Sequence, residues 1–350
     1  MRPHLTAPPR HLAAFFLVAF ASLAIALGYW TFPARDSLLA RIDNPRALIA
    51  YNRIQRGRIL DRNGLPLAET VGQPGAYTRR YEPSAALVVG YASFTYGLSG
   101  IEAAADSILT GVEDLESIAR SWHYDVLNEP QIGHDAQLTL DLNLQRAAYN
   151  ALDGRAGAIV ILDTRTGDLL AMASTPSFDP AKLEEDFETF TEDSNGPLVN
   201  RATLALYRAD DFLALFPRTL DLSYTPSLPI PVRPAEGNRL TPLHLALLAA
   251  AVAEAGLMPA PRLIISTAST RNGAGNQIPS HPIAMFPPAA AADLLPQFQA
   301  GLLATIPSGF EDETLGWYVE VDSQRALCVV LENSAGAEAQ AIAQSVRQAP

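Results

Sequence analysis

The segment NRATLALYRADDFLALF, residues 200–216, sets two adjacent carboxylates, Asp210 and Asp211, in an apolar run with no nucleophile beside them. Acids at the start of a helix, here expected from about residue 208, complement its dipole and cap its free amides, worth about 0.3 to 1 kcal/mol each. Acid–base chemistry asks for more, a second positioned group that takes or supplies the proton. The chain is poor in such groups: of its 25 cationic side chains, 24 are arginine and one is lysine, Lys182. Arginine stays protonated and cannot serve as a base. Lys182 stands in DPAKLEED, with Asp179 three positions before it, where a serine–lysine pair would need its serine. The histidines, at 4, 11, 123, 134, 244 and 281, show no ligand spacing on a shared helix face, and there is no Gly-x-Ser-x-Gly turn. His244, among leucines and alanines, reads as a core or boundary residue. No metal and no cofactor are expected, and Cys328, in RALCVVLE, reads as a buried thiol in a strand.

The elements that must position these residues are legible from pattern. With 350 residues, 48% of them hydrophobic, the chain can bury one large core or two ordinary ones. A net charge of −12 opposes binding to a phosphate backbone, so no nucleic acid is expected. Residues 12–30, LAAFFLVAFASLAIALGYW, are uncharged and long enough to cross a hydrocarbon layer, with Arg2, His4 and Arg10 before them and Tyr29 and Trp30 as interface anchors. This predicts a cytoplasmic tail over 1–11, a single-pass anchor over 12–30 and an extracytoplasmic remainder. A cleaved signal peptide is the competing reading.

Beyond the anchor, Asp61 to Gly64 predicts a hairpin between Arg58–Leu60 and Leu65–Ala68. GLSGIEAAADSILTG predicts a short helix starting after Ser99 and Gly100 and ending near Gly111, and a domain boundary falls near 135. GAIVILDTRTGDLLAMAS predicts a buried hairpin turning over Asp163 to Gly167. TPLHLALLAAAVAEAG predicts a central helix capped by Thr241, with Pro242 in its first position and a stop at Gly256. AADLLPQFQAGLLATI reads as one helix, GWYVEVD and RALCVVLEN as a hairpin across Ser323 and Gln324, and Ala335–Arg347 as a closing helix. Strands at both ends of this unit with helices between them predict an α+β fold, an antiparallel sheet flanked by helices.

In this order the segments RGRILDRNGLPLA, GYASFTYGLSGIEAAADSILTG, LTLDLNLQRAAYNAL, GAIVILDTRTGDLLAMASTPSFDP, GPLVNRATLALY, NRLTPLHLALLAAAVAEAGLMPAP and GWYVEVDSQRALCVVLEN resemble a class B penicillin-binding protein. These are the membrane-anchored transpeptidases that cross-link bacterial cell wall. The resemblance implies an elongated pedestal, similar to the penicillin-binding protein dimerisation domain, over 31–135, and a reduced transpeptidase-like domain over 136–350.

In that family the run after Asn-Arg-Ala reads Tyr-x-Pro-Gly-Ser-x-x-Lys. Aligned on Tyr207, the nucleophilic serine falls on Asp211 and the lysine base on Ala214, so both reacting groups are replaced. The Ser-x-Asn lobe is expected to be truncated, because FPRTLDLSYTPSLPIPVRPAEG carries five prolines and cannot form a long helix. The Lys-Thr-Gly of the cleft strand is sought within PSGFEDETL, where Glu311, Asp312 and Glu313 stand instead of a cation; the Arg-Thr-Gly at 165–167 belongs to a turn. The resemblance therefore implies a degenerate member acting by binding or scaffolding. Its implied partners are a membrane glycan polymerase, active penicillin-binding proteins, the membrane and peptidoglycan itself. The alternatives are a weak or altered acyl-transfer enzyme using acids in place of serine, and a chain without a selected role.

Overall fold

The computed structural model describes residues 10–31, 51–112, 131–218, 220–267, 281–309 and 313–348. Residues 1–9 of the expected tail, and Glu311 and Asp312, lie outside the described residues. Helix α1, Arg10–Thr31, is continuous, and its stretch Leu12–Trp30, with mean hydropathy 2.3, is long and apolar enough to cross a membrane. It belongs to the unit Met1–Asn52, and Arg53–Pro350 forms a second compact unit.

That second unit begins with the expected hairpin, β1 (Ile59–Leu60) and β2 (Pro66–Gln73). Its turn closes on one carboxylate: Asp61 accepts from the amides of Asn63 at 2.8 Å and Leu65 at 2.7 Å. Strand β3 (Ala76–Tyr81) returns along β2 through a second hairpin that the apolar pattern did not announce, its outer edge being only half-buried. Helix α2 (Ala86–Val89) and the short pair β4 (Ala92–Ser93) and β5 (Gly97–Leu98) follow.

The helix expected over 100–111 is two pieces, α3 (Gly100–Ala104) and α4 (Asp106–Leu109), because Ala105 leaves the helical region at φ −108°, ψ 17°. Arg56 spans the break, pairing with Glu102 at 2.8 Å and Asp106 at 2.7 Å. Strand β6 (Ala136–Leu138) then pairs in parallel with β1 and antiparallel with β12 (Ile264–Thr267). The resulting sheet, β12-β6-β1-β2-β3, thus runs across residue 135 and takes a strand from far along the chain.

Asp141 caps α5 (Leu142–Leu152) by accepting from the Asn143 and Leu144 amides. The second sheet has the order β14 (Leu302–Pro307), β15 (Thr314–Val321), β16 (Arg325–Glu332), β7 (Gly157–Asp163), β8 (Leu169–Thr175) and is antiparallel throughout. Strands β7 (Gly157–Asp163) and β8 (Leu169–Thr175) form the first hairpin, turning where Asp163 accepts from the Arg165 and Thr166 amides. Gly167 sits there at φ 73°, and a Cβ would lie 2.1 Å from the Ala260 carbonyl oxygen, so no larger residue fits.

A short helical turn leads to α6 (Leu183–Glu192), then β9 (Tyr207–Arg208), α7 (Asp210–Leu213) and β10 (Arg239–Leu240). Next comes α8 (Pro242–Ala253), with Thr241 accepting from the His244 amide at its start. Every residue from Pro242 to Val252 is buried, as its all-round apolar sequence requires.

Beyond β11 (Leu257–Met258) and β13 (Ile283–Ala284), the segment read as one helix divides into α9 (Pro288–Ala300) and strand β14 (Leu302–Pro307). Gly301 makes the break at φ 83°, and LLATIP then pairs residue by residue with β15 (Thr314–Val321). Cross-strand pairing overrides the helix propensity of Leu and Ala. Strand β16 (Arg325–Glu332) and α10 (Gly336–Arg347) complete the chain. Both faces of the sheet are covered, by α8 on one side and by α5 and α10 on the other. Its central strands are therefore continuously apolar rather than alternating.

Candidate functional site

The segment carrying Asp210 and Asp211 is placed by a two-stranded ladder. Strand β9 pairs with β10 so that Tyr207 faces Leu240, both buried, while Arg208 faces Arg239 on the outer side. The Tyr207 hydroxyl donates to Glu332 Oε1 at 2.7 Å, and Arg201 Nε donates to the same oxygen at 2.9 Å. Burial, reinforced by the Glu332 charge and hydrogen bond, pushes the Tyr207 hydroxyl well above its ordinary range, so it acts as a permanent donor. Trp317 Nε1 donates to the Arg208 carbonyl at 3.0 Å, and its ring meets those of Tyr207 and Phe212 edge-on, both at 6.0 Å.

Helix α7 is a single turn of four residues rather than the longer helix expected from about 208. The caps expected of the two acids are not made: Ala209 is the N-cap, and no side chain bonds the free amides. Asp210 instead turns sideways, accepting from Asn238 Nδ2 and from Arg208 Nε at 2.9 Å. The Asn238 hydrogen bond, followed by Arg208, holds its carboxyl below the usual range. A nearby guanidinium and amide outcompete the helix dipole because they offer direct charge-assisted bonds. Asp211 and Ala214, expected from the resemblance at the places of the nucleophile and its base, are exposed, whereas Phe212 between them is buried.

The strand bounding this sheet beside α7 is β14, upstream of the stretch where the cation was sought. It carries Leu302, Leu303, Ala304, Thr305, Ile306 and Pro307, so the edge holds no cation. Beyond it the Ser308 amide donates to the Glu313 carbonyl at 2.9 Å. Lys182 is exposed, and Asp179, three positions before it, accepts from the Ala181 amide. The described residues of 216–237 contain no helix, in keeping with the proline count, and lie against the core through Phe216 and Ile230.

Two polar clusters escaped the sequence reading. Glu102 is fully buried between Arg56 and Arg79, Arg79 Nε donating to Glu102 Oε1 at 2.8 Å. The Arg201–Glu332–Tyr207 group joins the segment before α7 to the last strand. In both, the partners stand far apart in the chain, and no local pattern pairs them.

An antiparallel five-stranded sheet between a buried central helix and a pair of terminal helices, with a preceding sheet-containing region, defines the architecture of a penicillin-binding transpeptidase. Residues 56–134 match the penicillin binding protein A dimerisation domain family. Peptidoglycan D,D-transpeptidase MrdA of Escherichia coli K12 is 41% identical over 126 residues, 33% of this chain and 20% of that protein. Peptidoglycan D,D-transpeptidase PbpA of Mycolicibacterium smegmatis is 34% identical over 191 residues, 50% of this chain and 38% of that protein. The chain thus spans well under half the length of these curated relatives. The structure of penicillin-binding protein A from M. tuberculosis, a penicillin G acyl-enzyme complex, matches with TM-score 0.70 at 20% identity over 85% of this chain and 99% of that one. The D,D-transpeptidase domain of a peptidoglycan glycosyltransferase from Eggerthella lenta matches with TM-score 0.68 at 20% identity, over 85% of this chain and 98% of that one. At such identity these structures establish a shared fold. The chain thus resembles the class B penicillin-binding proteins in its dimerisation-domain match, its D,D-transpeptidase relatives and its fold.

Proposed function

We propose that this protein is a non-catalytic transpeptidase homologue, tethered by α1 to the cell membrane with its body outside the cytoplasm, and that it serves peptidoglycan synthesis by binding. Its partners are other cell-wall synthesis proteins, a membrane glycan polymerase or active penicillin-binding proteins. One observation carries the reading: the residues that the resemblance aligns with the nucleophile and its base are Asp211, in α7, and Ala214, just past its end, and the chain's sole lysine is the exposed Lys182. A carboxylate attacking an amide would form a mixed anhydride, and no neutral amine stands at the base position to organise the attack. The intact cap of α8, the paired strands and the buried helix support retention of the scaffold for its surface.

The test is exposure of the detergent-solubilised full chain to a fluorescent penicillin, followed by intact-mass measurement. The expected spectrum contains unmodified protein alone. A stoichiometric adduct on any serine would overturn the non-catalytic reading. Copurification from the native membrane is expected to recover a cell-wall synthesis protein, and recovery of none would count against the binding role.

A further inference from the structure

Residues 221–232 are held to the body by side chains. Leu222, Tyr224, Pro226, Leu228, Ile230 and Val232 face inward, while Asp221, Ser223, Thr225, Ser227, Pro229 and Pro231 are exposed. Between the Leu220 amide, which donates to Pro217, and the Arg233 amide, which donates to the Thr203 carbonyl, no backbone–backbone hydrogen bond ties this stretch down among the described residues. Prolines 226, 229 and 231 have no amide hydrogen to give. Detaching the stretch therefore breaks no backbone–backbone hydrogen bond among the described residues.

Under it lies His244, in the first turn of α8 and 5% exposed. Its Nδ1 shares a 2.7 Å hydrogen bond with Thr241 Oγ1, and Nε2 is buried without a hydrogen-bond partner. The wall around the ring is Leu222, Tyr224 and Pro226 from the strap, Leu247 and Leu248 from α8, and Met258 and Met285. Tyr224 is the one other titratable group in that wall, and burial raises it. Among the described residues no carboxylate faces the imidazole: α8 carries no acid between Pro242 and Ala253, Glu254 is engaged by Thr164 Oγ1 at 2.9 Å, and Asp221 accepts from the Ser223 amide in solvent. An imidazolium here would have no carboxylate beside it among the described residues, and only the Tyr224 backbone to favour it. Burial accordingly lowers His244 to about 4, the Tyr224 backbone favouring the charged form by less.

We propose that residues 221–232 form an acid-released strap, in which protonation of His244 drives the strap off α8 and uncovers the apolar wall beneath it. The closed state holds a histidine depressed to about 4, while the open state holds one at its ordinary value of 6.5. A depressed group in the closed state means that closure is fully stable above 6.5, weakens as pH falls toward 4, and loses nothing further below it. The ratio of the two acid constants makes the full shift in the opening equilibrium roughly 300-fold.

Two of the chain's four methionines line the wall, and a third, Met172, is buried in β8. The test is methyl-methionine NMR on the full chain in detergent micelles from pH 7 to 3.5. The Met258 and Met285 resonances are expected to move together toward solvent-exposed positions while Met172 stays in place, and His244→Gln is expected to abolish the movement. Unmoved Met258 and Met285 signals, the same transition in His244→Gln, or Met172 moving in step through general acid unfolding would each overturn the proposal. Should His244→Gln not fold, the imidazole resonance of the wild-type chain decides: titration near 4 together with the methyl shifts supports the strap, and titration near 6.5 with unmoved methyls refutes it.

Discussion

Charge is kept in opposite ways in two regions of this molecule. In the region matched by the dimerisation-domain family, Glu102 is fully buried and takes hydrogen bonds from Arg56 Nε at 3.0 Å and Arg79 Nε at 2.8 Å. At the head of α7, Asp211 is exposed and Asp210 lies in a half-exposed pair with Arg208. The difference is solvent. A buried charge is bound to its partners because removing one leaves the others unpaired in a poor dielectric, whereas an exposed acid is screened and loses little. Charge in the first region is thus part of the architecture. In the second, packing around Phe212 and Trp317 is the architecture, and the acids sit on top of it.

This contrast is broken or sharpened by three substitutions, read as changes in unfolding free energy of the solubilised chain by denaturant titration. The largest effect is expected from Glu102→Gln, which keeps the volume but takes the anion from Arg79 and leaves Arg56 with Asp106 alone, a loss of about 3 kcal/mol or more. A loss below about 1 kcal/mol would show that water reaches the cluster and would erase the distinction. Phe212→Ala comes next, at about 3 kcal/mol, because it empties a buried site against Trp317 in the same turn that carries the acids. The smallest effect is expected from Asp211→Ala, within about 0.5 kcal/mol of the parent, since the residue is exposed and its side chain caps nothing. A large loss at Asp211 with little at Phe212 would reverse the comparison.

The acid limb of the stability curve carries a related signal. Asp210 has its folded pKa lowered, so its contribution is present above the ordinary carboxylate value and is lost as pH falls through the lowered one. Its exposure keeps that contribution small, and the His244 transition begins at higher pH, near 6.5, which separates the two in a titration.

Elements whose instructions are local were readable from the chain. Thr241 followed by Pro242 starts α8, Asp163 to Gly167 turns the β7–β8 hairpin, and the apolar run from 12 to 30 forms one helix. Strand β14 was not readable in that way: LLATIP continues the pattern of the helix before it, and only the neighbouring β15 makes it a strand. The same holds for the acids of α7. Proximity to a helix start suggests capping, but Arg208 and Asn238, brought together by the β9–β10 ladder, take Asp210 away.

The amino-acid sequence by itself determined the inventory of chemistry: one lysine, Asp211 and Ala214 after the Asn-Arg-Ala run, and prolines that exclude a long helix over 216–237. Such limits need no coordinates, because a group that is not in the chain cannot be supplied by folding it. Only the tertiary structure decided which groups meet. Arg56 and Glu102 lie 46 residues apart, and Arg201 and Glu332 lie 131 apart. Their pairing is set by desolvation and sheet register, which act between segments and leave no trace in local spacing.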